Sequence, residues 1–126
     1  MSERCKDQVG SLHMAQTYLA KAEKSLYDDD PQELKRHITS AQEHLKSAHS
    51  RGHISAEECQ VVEAPLRRME AQLRIKDWLE IPGRETLGPQ SVRFTAASQL
   101  IDGENALFDL ILKKVTECEC GRGSEL

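Results

Sequence analysis

Aromatic residues are nearly missing from this chain: Tyr18, Tyr27, Trp78, Phe94 and Phe108 are all it has among 126 positions. An all-β domain would want more of them, with more Val and Thr, to cover its pleated faces, so that class is set aside. Long hydrophobic runs are missing as well. No stretch approaches the ~20 apolar residues that span a bilayer. The opening MSERCKDQVG has no apolar segment of the kind a signal peptide needs, so no membrane association is expected. Cysteine is scarce: Cys5, Cys59, Cys118 and Cys120 are too few and too scattered for a secreted disulfide framework, and the expectation is a reduced, cytoplasmic protein. A basic excess is lacking too. With 17 Lys and Arg against 21 Asp and Glu, the chain carries −4 and is a poor candidate for a nucleic-acid partner. It contains no glycine-rich phosphate loop, nucleophile elbow or zinc-finger spacing.

What is there is charge and aliphatic periodicity. Charged residues make up 30% and hydrophobic ones 38%, the mix of a solvent-laced helical bundle forming one domain over residues 1–126. Leu12, Ala15, Leu19, Ala22 and Leu26 recur at spacings of 3 and 4, which predicts a first helix over about 6–27. The run DDDPQE then offers Asp30 as N-cap, Pro31 at the first helical position and Glu33 two further on. These are turn and cap residues in preference to a metal-binding acidic patch. A second helix over about 31–51 carries Leu34, Ile38, Ala41, Leu45 and Ala48. Its AQEHLKSA (41–48) matches AQTYLAKA (15–22) of the first, and the short connector demands an antiparallel hairpin with alanines at the contact.

Gly52 is placed to end the second helix in a left-handed conformation, and Ser55 with Glu58 forms a capping box for a third. Cys59, Val62, Leu66, Met69 and Leu73 keep one phase across Pro65, which predicts a single kinked helix over about 56–80. IPGRETLGPQS (81–91) is the one long loop. The last helix is expected over about 91–118, bent near Gly103, with a frayed tail at 119–126. The fold class is therefore an all-α, four-helix, mainly up-and-down bundle.

The last helix is the unusual one. Phe94, Ala97, Ile101, Phe108, Leu112 and Val115 share a stripe, while Leu100, Leu107, Leu110 and Ile111 widen the apolar arc to about 200° against the ~100° of an ordinary surface helix. Either the helix is central in the bundle, or its second edge is covered by a partner. Leu100, Leu107, Leu110 and Ile111 are the candidate interface residues. Glu104 falls inside the arc, and the expectation is that Gly103 distorts the turn and lets its carboxylate reach water.

The most chemistry-like stretch is EHLKSAHSRGHISAEE (43–58), with His44, His49 and His53 in ten positions. His49 and His53 are i,i+4, but Gly52 divides them. His37 and His44 are two turns apart, ~10.5 Å along a helix and too far to share one ion. His49 and His53 are better placed to meet free carbonyls at a helix C-terminus. The basic residues Arg67, Arg68, Arg74 and Lys76 alternate with Glu63, Glu70, Asp77 and Glu80, as on a salt-bridged solvated face.

The function expected from sequence is a small, non-enzymatic protein-interaction or regulatory bundle. It would need no cofactor, and it would self-associate or bind a protein partner through the last helix. The alternative is a ligand- or metal-binding bundle using the histidines and the Arg67–Lys76 face.

Overall fold

Each apolar seam becomes one helix. The computed structural model describes residues 3–28, 30–75 and 92–123, and the side chains of residues 6–28, 30, 32–71 and 96–118. The helices are α1 (Glu3–Tyr27), α2 (Pro31–Ser50), α3 (Ala56–Ile75) and α4 (Val92–Gly123), and no strand occurs among the described residues. The protein is an all-α four-helix bundle. Residues 76–91, which include the expected long loop and the end of the expected third helix, lie outside the described residues.

The helix boundaries follow from cap chemistry. Asp30 is the N-cap of α2; its Oδ1 accepts from the Glu33 amide at 3.1 Å, with Pro31 in the first turn. The Glu33 carboxylate does not complete a capping box. It turns outward instead, to the Arg36 guanidinium and to His37 Nε2 at 3.4 Å. At the other end Gly52 adopts φ +77, its amide donates to His49 O (3.0 Å), and the His53 amide donates to Ala48 O (2.9 Å). This pair of bonds is a Schellman motif, and the positive φ is what glycine supplies cheaply. The box at the start of α3 is reciprocal: Glu58 N donates to Ser55 Oγ (3.0 Å) and Ser55 N donates to Glu58 Oε1 (2.8 Å).

The core runs the length of the bundle. Leu12, Leu19, Leu26, Leu34, Leu45, Leu66, Met69, Leu100 and Leu107 are fully buried, with Ala15, Ala22, Ala41, Ala48 and Ala96 as small residues between them. The alanines let α1 and α2 approach closely, and these two helices make the most extensive contact in the molecule. Contacts also join α3 to α4 and α1 to α4, while α2 and α3 touch much less. Pro65 is buried within α3, which passes through it as one helix.

One expectation for the last helix is corrected: it does not stop at Cys118 but continues to Gly123. The helix is continuous through Gly103. Gly103 is buried, and a Cβ built on it would lie 2.9 Å from Leu66 Cδ2, 3.3 Å from Leu66 Cγ and 3.7 Å from the Val62 carbonyl oxygen. The missing side chain is used for close approach of α4 to α3; no helix break is involved.

The glycines make opposite predictions. Gly103→Val should destabilise the protein by about 1–3 kcal/mol, since Leu66 is enclosed and cannot retreat without disturbing the core. Gly10→Ala, with nothing within 4 Å, should stabilise it by about 0.5–1 kcal/mol through helix propensity. Urea denaturation of both variants measures the contrast.

Candidate functional site

Four residues were expected from the sequence to face a partner, and all four are core. Leu100 and Leu107 are 0% exposed, Leu110 7% and Ile111 5%. The assignment of edges is therefore inverted. The apolar side chains that α4 leaves in solvent are Ile101, Phe108 and Leu112, at 41%, 51% and 51% exposure. Ala97 and Val115, from the same stripe, are half-buried against the core. The reason is steric. Gly103 and Ala96 lie on the side with Leu107 and Leu110, so that side has the small residues that admit α3 and α1. The side with the Phe108 ring has Ala97 but no glycine, so it offers no comparably close approach.

Comparison with known proteins gives no match. No family model, curated protein or solved structure matches the chain. The outer face of α4 has to be read on its own chemistry.

That face carries acid at one edge. Asp102 and Asp109 are both exposed, each one position after an exposed apolar residue. The lysines near the far end of the helix are committed to Glu58 at the start of α3. Lys113 Nζ lies 2.9 Å from Glu58 Oε2, and Lys114 Nζ lies 3.0 Å from Glu58 Oε1. Glu117 joins this cluster, at 4.0 Å from Lys113 and 3.7 Å from Lys114. Burial works to raise the Glu58 pKa, but the Ser55 amide and the two lysines outweigh it and hold the carboxyl at about 2. Glu58 thus caps α3 and ties it to α4 with one side chain.

Glu104 is half-buried, with one of its two carboxylate oxygens enclosed. Its Oε1 is buried without a hydrogen-bond partner. The helix is continuous through Gly103, so Glu104 keeps its helical position. Burial, then the charge of Glu23 on α1, pushes its carboxyl up to about 7.

The histidines do not form a ligand set. Tyr18 of α1 stands between two imidazoles of α2, 6.1 Å from His37 and 5.5 Å from His44 between ring centroids, at interplanar angles of 30° and 15°. Lys21 Nζ sits 5.2 Å from the centroid of the same ring. The two histidines that are too far apart to share an ion are thus joined by a ring from the neighbouring helix. His49 is exposed in the last turn of α2, and His53 is half-buried with Nδ1 enclosed and unpartnered. No group of three His, Cys, Asp or Glu side chains converges on a metal position among the described residues.

The basic face is also occupied where it is described. Arg67 pairs with the buried Glu63 at 2.9 Å, and Arg68 Nε donates to Gln99 of α4 at 3.0 Å. The side chains of Arg74 and Lys76 lie outside the described residues. Cys59 is a buried free thiol, its pKa raised by burial and then by Glu63. Cys118 is disulfide-bonded, which departs from the reduced state expected of the cysteines. A cavity of about 350 Å³ opens where α2 and α3 diverge, over Leu34, Ile38 and Met69 with Lys35, Thr39 and Gln42 at its rim.

Sequence reasoning missed Tyr18 as the centre of the histidine pair. A signal was present: in the matched octets, Tyr18 and His44 occupy the same position, 26 residues apart. In an antiparallel hairpin of two similar helices, equivalent residues meet only at the crossing point, and these two do.

Stability should respond to pH through two carboxyls with opposite sign. Glu104 titrates at its ordinary 4.5 when unfolded and at about 7 when folded. Its contribution is therefore complete below 4.5 and lost as pH rises through 7. Glu58 goes the other way: its contribution is complete above 4.5 and lost as pH falls toward 2. Denaturation at pH 5 and pH 8 should show the wild type weaker at pH 8. Glu104→Gln should remove most of that difference and be the more stable protein at pH 8, and Glu58→Gln should leave the difference in place.

Proposed function

We propose that this protein is a non-enzymatic interaction module whose working surface is the outer face of α4. The observation that carries the reading is the row of Ile101, Phe108 and Leu112, left in solvent by a helix whose opposite face is already fully used by the core. A large aromatic and two large aliphatic residues on one exposed stripe are the kind of surface that a second helix covers. The state of the polar clusters elsewhere in the bundle supports the same reading. His37, His44, Arg67, Arg68, Glu58 and Lys113 each have a partner within the fold. A ligand-binding role for the histidines and the Arg67–Lys76 face has correspondingly less support.

The apolar row sets a limit on affinity. Full burial of a Phe, Leu or Ile side chain is worth about 1.5–3 kcal/mol, and these three are already half-covered, so together they offer roughly 3 kcal/mol. Association costs about 4–15 kcal/mol in lost rigid-body freedom. A docked partner must therefore also use the polar edges of the helix.

Two substitutions separate core from surface. Leu107→Asp should unfold the protein or remove several kcal/mol of stability, since it places a charge at a fully buried site. Leu112→Asp should leave thermal stability within about 0.5 kcal/mol of wild type. For the interaction itself, a photo-cross-linking amino acid at Phe108 should give a discrete protein adduct in the cell. The adduct should disappear when Leu112→Asp is added and should be missing with the cross-linker at Lys35. No adduct from position 108 would end the proposal.

A further inference from the structure

Resting on that reading, we infer that the occupant of the outer α4 face is a basic amphipathic helix and not a second copy of this chain. The spacing of the face specifies a helix. Ile101, Asn105, Phe108, Leu112 and Val115 follow one another at 4, 3, 4 and 3 positions, the mean of 3.5 at which two helices stay in register side by side. The row covers 14 intervals, ~21 Å of helix. It is the second such seam on α4, since Ala96, Gly103, Leu107 and Leu110 already face the bundle. Asn105, exposed in the middle of the row, is a polar seam residue that favours one register over its neighbours.

Charge specifies which helix. Asp102 and Asp109 flank the row at the same edge, seven residues apart, and both are exposed. Among the described side chains of α4, residues 96–118, the cations are Lys113 and Lys114, and both are drawn to Glu58. A second α4 laid against the first would bring the same acidic edge with it. In an antiparallel pair Asp102 and Asp109 would face their own copies, and acid would meet acid. In a parallel pair they would face the edge of Leu100 and Ile111, which holds no cation among the described side chains to pair with them. A helix with Lys or Arg beside an apolar seam meets the opposite condition: its bases fall against Asp102 and Asp109 while its apolar residues cover Phe108 and Leu112. The same acids that favour this partner discriminate against self-pairing.

Fluorescence anisotropy with the full chain and two designed peptides tests the inference. Both peptides carry one leucine seam; one has Lys and Arg at the flanking positions and the other has Glu. The basic peptide should bind, and its affinity should fall with added salt. The double substitution Asp102→Lys with Asp109→Lys should weaken it roughly tenfold or more, and should strengthen binding of the acidic peptide. Phe108→Glu should abolish binding of the basic peptide to the otherwise wild-type chain. Equal binding of the two peptides by wild type, or undiminished binding of the basic peptide by the double lysine variant, would overturn the charge assignment. Concentration-dependent dimerisation that Phe108→Glu abolishes would also overturn the choice of partner, while leaving the interaction reading in place. Absence of both peptide binding and the cross-linked adduct from position 108 would remove the interaction reading as well.

Discussion

A hydrogen atom where other residues carry a side chain lets α4 settle against Leu66 and the Val62 carbonyl, and the arrangement of the whole last helix depends on that approach. Helices separate by the size of what lies between them. With Gly103 and Ala96 on its inner side, α4 can sit against both α3 and α1, and Leu100, Leu107, Leu110 and Ile111 fill the space around them. Rotating α4 to bury Phe108 in their place would put a ring where there is room for a hydrogen. The exposed apolar row is thus a by-product of the close contact that Gly103 allows.

The same inner packing explains what was legible in the sequence. The caps were legible, because Asp30, Pro31, Gly52, Ser55 and Glu58 act through backbone groups a few residues away, and local chemistry is written locally. The seams of α1, α2 and α3 were legible for a related reason: each is narrow, so only one face can be buried. The broad arc of α4 revealed its width but not its orientation. Two edges of equal hydrophobicity differ only in residue size, and size matters only against a neighbour that the sequence does not identify. The packing role of Gly103 was hidden for the same reason, since a glycine that serves a close approach and a glycine that bends a helix look alike until the facing helix is known. The nearness of Glu104 to Glu23 of α1 likewise depends on which helix lies opposite.

Charge is distributed according to how far each group can reach. Glu58 reaches two lysines across the α3–α4 contact, and Glu63, although buried, reaches Arg67 one turn on. These pairs lie within the fold and hold Lys113 and Lys114 toward α3. Asp102 and Asp109 lie beyond them on an exposed edge, and the net acidity of the chain is expressed there as a directed feature of one surface.

The pairing of Tyr18 with His44 says something about how the chain reaches this state. Two similar helical segments, joined by only three residues and meeting at equivalent positions, form a nearly symmetric unit whose contacts are close in sequence. Closing so short a connector sacrifices little chain entropy, and contacts of this kind can form before distant parts of the chain have met. The α1–α2 hairpin is therefore the natural nucleus. Its alanine-lined interior is the template on which α4, arriving last in the chain and touching both α1 and α3, closes the bundle.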